Sequence, residues 1–136
     1  MCGICGVYAY DQRLEINPSI LKQMCDTIIH RGPDDEGYYH NGSVSLGSRR
    51  LSIIDLQYGR QPMTNEDQSI WLVYNGEIYN YPDLRARLIA KGHTIRTQSD
   101  TEVIIHAYEE YGEACASEFN GMFAFALWDE NKQQLL

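Results

Sequence analysis

The chain has 136 residues, of which 43% are hydrophobic and 22% charged, a composition ordinary for one soluble globular domain. Its formal net charge of −8 argues against a nucleic-acid partner, for which a basic face would be expected. No apolar run is long enough to cross a membrane, and the N-terminus lacks the pattern of a signal peptide. Four cysteines without a secretory signal favour a reducing compartment, so we expect a cytoplasmic protein with no membrane partner.

The N-terminal half is predicted to be mostly strands around one helix. Residues 3–10 indicate a strand, and a helix follows with Asn17 as its N-cap and Pro18 at its first position. Its apolar residues between Ile20 and Ile29 recur at helical spacing, and Gly32 and Pro33 end the helical region. Further strands are predicted over residues 38–40, 44–50 and 70–74, the first two joined by a turn at Asn41-Gly42.

The C-terminal half begins with two helices. Pro82 begins the first helix and Gly92 ends it, while the second begins near Ser99 and ends at Gly112. A short helical piece is predicted over residues 113–118. These signals place two successive helices before the last strands.

Residues 122–128 read Met-Phe-Ala-Phe-Ala-Leu-Trp and are apolar at every position. Such a run is typical of a strand covered on both faces, so we expect a second sheet on one side and helices on the other. A hairpin turn at Asn131-Lys132 leads into residues 133–136, where the strand signal is cut off. We therefore expect a domain over residues 1–136 that is incomplete at its C-terminus.

Cys2 is the first candidate catalytic residue. Removal of Met1, normal before a small side chain, would leave Cys2 with a thiol and a free α-amine on one Cα. The thiolate is a strong nucleophile, and an α-amine with a reference pKa of about 7.7–8.0 is a suitable base near neutral pH. The alternative is a buried first strand that contains a cysteine.

Three further segments carry side chains that suit a site for a small molecule. Arg50 can hold a carboxylate through two parallel hydrogen bonds, or it is a surface charge at a strand end. The Asn75 amide and the Gly76 N–H can stabilise an oxyanion, although Asn-Gly is also the strongest signal for a type I′ hairpin turn. Residues 99–102 fit a capping box in which Ser99 caps the helix, Glu102 reaches back to it, and Asp100 is free to pair with an ammonium group.

Together these segments resemble the glutaminase domain of class II glutamine amidotransferases, which are N-terminal nucleophile hydrolases, and most of all that of the asparagine synthetases. The resemblance rests on residues 1–6 (Met-Cys-Gly-Ile-Cys-Gly), 30–34 (His-Arg-Gly-Pro-Asp), 50–55 (Arg-Leu-Ser-Ile-Ile-Asp), 61–63 (Gln-Pro-Met), 75–80 (Asn-Gly-Glu-Ile-Tyr-Asn), 99–102 (Ser-Asp-Thr-Glu) and 121–129 (Gly-Met-Phe-Ala-Phe-Ala-Leu-Trp-Asp). These motifs occur in family order and span nearly the whole chain.

The resemblance implies an α+β fold, a four-layer α/β/β/α sandwich of two antiparallel sheets. It implies hydrolysis of L-glutamine to glutamate and ammonia through a thioester on Cys2. Asn75 and Gly76 would bind the oxyanion, Arg50 the α-carboxylate, and Asp100 the α-ammonium with help from Glu77. Arg31 and Asp34 would be structural and could brace the site.

The same resemblance implies a C-terminal synthetase domain, absent here, that uses ATP and Mg²⁺ to make asparagine from aspartate. No phosphate-binding loop occurs in these 136 residues, so we expect neither cofactor nor metal in this part. A homo-oligomer is a possible further partner state. One alternative is the glutaminase of a glucosamine-phosphate or phosphoribosylamine enzyme. A more distant alternative is a metal or redox module built on Cys2 and Cys5, which lacks a second Cys or His pair at matching spacing.

Overall fold

Two antiparallel sheets and the helices outside them form the chain, as a computed structural model shows for residues 2–11, 13, 15–51 and 59–136. The strands are β1 (Gly3–Tyr8), β2 (Asp35–Asn41), β3 (Val44–Arg50), β4 (Met63–Thr64), β5 (Ile70–Ile78), β6 (Gly121–Asp129) and β7 (Gln134–Leu135). The helices are α1 (Pro18–Thr27), α2 (Tyr81–Ala90) and α3 (Asp100–Tyr111), with 3-10 turns at Ile29–Arg31 and Gly112–Glu118. Within these ranges, no helix combines the length and the apolar character that crossing a membrane requires.

The first sheet has the order β1-β3-β2 and the second has the order β4-β5-β6-β7. In the first sheet Gly3 pairs with Arg49 and Asp35 with Arg50, so one end of this sheet carries the start of β1 and the end of β3. In the second sheet β5 and β6 pair along their whole length. This register decides where the candidate site residues meet.

The layers follow the predicted α/β/β/α order. Val44 and Leu46 of the first sheet pack against Val73 and Trp128 of the second, and these side chains form the core between the sheets. On the outside of the second sheet, the buried residues of α2 and α3 pack against alternate residues of β5 and β6. On the outside of the first sheet, α1 packs against β1 and β3, where Gly47 leaves room for the Cys25 sulfur.

The helix boundaries confirm the local signals. The Asn17 side chain accepts a hydrogen bond from the Ser19 N–H at 3.0 Å, and Pro18 occupies the first turn of α1. The Ser99 side chain caps α3 by accepting from the Thr101 N–H at 3.2 Å. Gly112 ends α3 with a φ of 60°, a backbone conformation that favours glycine.

The alternative of a type I′ hairpin turn at Asn75-Gly76 is wrong. Both residues lie inside β5, which continues to Ile78 instead of ending at Tyr74. Asn75 pairs with Ala124 and Gly76 with Phe123, so the ladder with β6 outweighs the local preference for a turn.

Coverage of β6 on both faces is only partly confirmed. Leu127 packs toward the helices and Trp128 toward the first sheet, as expected. Met122, in contrast, is 68% exposed, because it lies on the face of β6 beyond the part that the first sheet covers. This uncovered end of β6 borders the cavity in which the candidate site residues meet.

Candidate active site

A cavity of about 220 Å³ opens where the first sheet ends above β5, beside the start of α3. All six predicted site residues line it, namely Cys2, Arg50, Asn75, Gly76, Glu77 and Asp100. Leu51, Gly59, Gln61, Tyr74, Ser99, Thr101 and Met122 complete the lining. Met1, residues 52–55 of the motif that begins at Arg50, and the rest of the segment 52–58 lie outside the described residues.

Cys2 and Arg50 come from the same end of the first sheet. Cys2 directly precedes β1 and Arg50 is the last residue of β3, and the pairing of Gly3 with Arg49 brings the two positions together. Arg50 is only 7% exposed, so the alternative of a surface charge is wrong. A guanidinium buried at the wall of a cavity suits recognition of an anionic group there.

Arg31 holds the backbone of Cys2. Its Nε and Nη2 both donate to the Cys2 carbonyl oxygen at 3.4 Å, and the Cys2 sulfur lies 3.8 Å from the Leu51 carbonyl oxygen. Gly3 allows this approach, since a Cβ there would lie 3.1 Å from the Arg31 Cβ. Arg31 therefore braces the candidate nucleophile, as its position in the sequence motif suggested.

Asn75, Gly76 and Glu77 are presented by β5. Alternation along the strand places Asn75 and Glu77 on one face. The N–H groups of Tyr74 and Ile78 bond away from β6, to the Gln61 Oε1 at 2.7 Å and to the Asp100 Oδ2 at 3.0 Å. The Gly76 N–H lies between them on the same edge of the strand, so it also faces away from β6 and toward the cavity.

Gly76 is required by the close approach of β6. A Cβ at this position would lie 2.3 Å from the Met122 carbonyl oxygen and 2.5 Å from the Phe123 Cα. No side chain larger than hydrogen fits without moving one strand.

Asp100 is the first residue of α3 and is held by β5. Its Oδ2 accepts hydrogen bonds from the Tyr74 hydroxyl at 2.6 Å and from the Ile78 N–H at 3.0 Å. The prediction that Asp100 is free of protein partners is therefore wrong, although it does line the cavity. Burial and the bond to Asp100 raise the pKa of Tyr74 far above its usual range, so the phenol stays a donor.

Glu102 does not complete the predicted capping box. Its carboxylate accepts from the Arg96 N–H at 2.9 Å and from the N–H and hydroxyl of Thr97 at 2.6 Å. The Ser99 N–H donates instead to the Thr97 hydroxyl oxygen at 3.2 Å. Although burial favours the protonated acid, His106 and these donors lower the pKa of Glu102 to about 2, so it orders the loop before α3 as a carboxylate.

Gln61 is a lining residue to which sequence reasoning assigned no role. Its Oε1 accepts from the Tyr74 N–H of the second sheet, and its carbonyl oxygen accepts from the Ser48 hydroxyl of the first sheet at 3.0 Å. Gly37 leaves room for it, because a Cβ there would lie 1.8 Å from that carbonyl oxygen. Gln61 thus joins the two sheets beside the cavity. The only sequence signal for this residue was its place in the motif 61–63.

The other thiols do not face the cavity. The Cys5 sulfur lies 3.2 Å from that of Cys25 on α1, so Cys2 and Cys5 do not form a Cys-x-x-Cys module. Burial raises the pKa of Cys25 to about 12 and that of Cys115 to about 11, which makes both thiols poor nucleophiles. Among the described residues, His93, His106 and Glu109 could hold a metal ion, and none of these three lines the cavity.

Residues 1–136 match the model of a family described as glutamine amidotransferase domain. The chain is 47% identical over 137 residues to the glutamine-hydrolyzing asparagine synthetase 1 of Bacillus subtilis (strain 168), covering 99% of this chain and 22% of that protein. It is 43% identical over 129 residues to the corresponding synthetase 1 of Arabidopsis thaliana, covering 95% of this chain and 22% of that protein. The chain thus spans about a fifth of the length of these curated relatives.

Among solved structures, the glutamine phosphoribosylpyrophosphate amidotransferase from B. subtilis, complexed with ADP and GMP, has a similar fold. The TM-score is 0.75 at 18% sequence identity, and the similarity covers 96% of this chain and 35% of that one. This likeness confirms the α/β/β/α architecture.

Proposed function

We infer that this chain, which belongs to the glutamine amidotransferase domain family, hydrolyses the side-chain amide of L-glutamine to give glutamate and ammonia. The observation that carries the inference is the cavity that gathers a thiol, a guanidinium, two carboxylates and two oxyanion donors from distant parts of the chain. These groups match the α-carboxylate, the α-ammonium and the amide of glutamine.

Cys2 is the proposed nucleophile and its own α-amine, exposed once Met1 is removed, the proposed base. The amine takes the thiol proton, and the sulfur attacks the amide carbon to form a tetrahedral oxyanion. The Asn75 side-chain amide and the Gly76 N–H would stabilise that oxyanion, and loss of one such donor costs about 2.7–4 kcal/mol of barrier in other enzymes. The protonated amine gives that proton to the amide nitrogen, so collapse of the intermediate releases ammonia and leaves a γ-glutamyl thioester. Water hydrolyses the thioester to glutamate and the free Cys2 thiol.

Arg50 and Asp100 are the proposed substrate clamps. The planar guanidinium of Arg50 suits two parallel hydrogen bonds to the α-carboxylate of glutamine. Asp100 would pair with the α-ammonium, and Glu77, exposed on β5, would help to position it. The fixed orientation of Asp100 favours this role, because a carboxylate already held by Tyr74 and Ile78 loses little freedom on binding.

The ammonia would serve a synthetase domain in the same polypeptide. We propose asparagine synthesis from aspartate, with ATP and Mg²⁺ bound by that domain, because relatives at 47% identity are glutamine-hydrolyzing asparagine synthetases in which this domain is about a fifth of the length. The alternative of a phosphoribosylamine enzyme is supported only by a structural likeness at 18% identity.

A glutamine analogue with an electrophilic side chain tests the nucleophile in the chain at its natural full length. We expect covalent labelling of Cys2 and loss of ammonia release in Cys2→Ala. Cys115→Ala is the matched control, since Cys115 is fully buried away from the cavity, and it should keep both labelling and ammonia release. Peptide mapping that places the label on Cys5, Cys25 or Cys115 would contradict the assignment.

A further inference from the structure

Two histidines and a glutamate meet beside α3, outside the glutamine cavity. His93 follows α2, whereas His106 and Glu109 are one turn apart on α3. The Glu109 Oε2 lies 2.8 Å from the His106 Nδ1 and 3.3 Å from the His93 Nδ1. One carboxylate oxygen thus faces the same ring nitrogen of both histidines, and the ligand atoms of all three residues lie within 4.8 Å of one another.

The other nitrogen of each imidazole faces a second carboxylate. The His93 Nε2 lies 3.2 Å from the Glu110 Oε2, and the His106 Nε2 lies 3.8 Å from the Glu102 Oε1. Histidines that bind metals in proteins almost always direct their second ring nitrogen to a carboxylate, a carbonyl or water. The arrangement therefore resembles a metal centre in its outer contacts as well as in its inner ones.

The local charge favours a cation. Among the described residues, four carboxylates lie around the two imidazoles. Two cationic side chains at the surface form ion pairs with two of these carboxylates. The carboxylates are Glu66, Glu102, Glu109 and Glu110, and the cations are Lys91 and Arg96.

We propose that His93, His106 and Glu109 form a site for a divalent transition metal, best suited to Zn²⁺. The two Nδ1 atoms and the Glu109 Oε2 would be the protein ligands, with water as the fourth. Zinc takes imidazole nitrogen and carboxylate oxygen at about 2.0–2.2 Å, so tetrahedral ligands lie about 3.4 Å apart. The His93 Nδ1 already lies 3.3 Å from the Glu109 Oε2, whereas the His106 Nδ1 lies 2.8 Å from that oxygen and would move away by about 0.6 Å when the metal binds. The metal would tie the loop after α2 to α3, the helix whose first residue is Asp100.

Metal binding to the purified full-length chain, stripped with a chelator, tests the site. We expect one equivalent of Zn²⁺ in competition with a chromophoric chelator, and a tetrahedral Co²⁺ spectrum without a sulfur-to-cobalt charge-transfer band. His93→Gln removes a ligand on the accessible side, and Glu110→Gln removes an outer contact, which in other zinc sites costs about 10–100-fold in affinity. His93→Gln should lose more Zn²⁺ affinity than Glu110→Gln.

The control is His30→Gln, which removes an exposed histidine outside the cluster and should leave the affinity unchanged. Circular dichroism of each chelator-treated variant shows whether it is folded. Equal Zn²⁺ affinity in wild type and His93→Gln, a thiolate band with Co²⁺, or no binding by the folded wild type would each overturn the proposal and leave the cluster an ion-pair network. None of these readouts depends on glutamine hydrolysis. A failure of the metal-site proposal can therefore be distinguished from a failure of the proposed glutaminase function.

Discussion

Asn75 and Arg50 line the same cavity but should differ in their kinetic effect. An oxyanion donor acts mainly in the transition state, so Asn75→Ala should lower kcat for ammonia release by about 100–1000-fold with little change in KM. Arg50→Ala should mainly raise KM for glutamine, because a carboxylate clamp binds ground state and transition state alike. Steady-state kinetics distinguish the two, and a raised KM with unchanged kcat for Asn75→Ala would contradict the oxyanion role.

We propose Tyr74 as a positioning residue, a role that only the folded structure suggests. Its hydroxyl donates to the Asp100 Oδ2 at 2.6 Å, so Tyr74→Phe should leave the Asp100 carboxylate less firmly held. A hydrogen bond to a charged group contributes about 1.5–3 kcal/mol, and we expect KM for glutamine to rise about tenfold while kcat changes little. Tyr79→Phe, at an exposed tyrosine outside the cavity, is the control and should leave both constants unchanged.

At the scale of elements, the β5–β6 ladder at Gly76 determines where the proposed oxyanion donors lie. Gly76→Ala places a Cβ 2.3 Å from the Met122 carbonyl oxygen, so the strands must separate locally. We expect a loss of about 1–3 kcal/mol in the free energy of unfolding, as for other overpacked sites, and reduced ammonia release.

Urea denaturation measures the change, with Ala124→Ser as the control. Ala124 is exposed on the neighbouring strand opposite Asn75, and its substitution should stay within about 0.5 kcal/mol of wild type. If Gly76→Ala were as stable as this control, the steric reason for glycine would be wrong.

At the scale of the whole molecule, the cavity exists because two sheets are held in one relative position. Trp128 is 1% exposed and packs between them against Val44, Leu46 and Val73. Trp128→Ala should cost about 3–5 kcal/mol in the free energy of unfolding. Ammonia release should fall as well, since Cys2 and Asn75 come from different sheets.

Trp128→Phe is the matched variant. The Trp128 Nε1 has no hydrogen-bond partner among the described residues, so its loss leaves no acceptor unpaired. We expect Trp128→Phe to lose less than half of the free energy of unfolding that Trp128→Ala loses. Equal losses of stability in the two variants would contradict packed volume as the source of the stabilisation.

The sequence alone was sufficient to predict the helix ends that depend on local signals. Asn17 with Pro18, Ser99 and Gly112 mark helix ends through contacts within a few residues, so they could be predicted without the fold. Residues of the cavity were also identified from sequence, because several chemically suited motifs occur together in the order typical of the family.

Tertiary structure decided the features that depend on contacts between residues distant in the chain. Asn75-Gly76 favours a turn locally, but pairing with residues 123 and 124 keeps it in a strand. The bonds from Tyr74 and Ile78 to Asp100, and the meeting of His93 with Glu109, join residues 16 or more positions apart. Local propensity determines where a helix begins or ends, whereas sheet register and helix packing determine which distant side chains share a hydrogen bond, and no pattern within one segment contains that information.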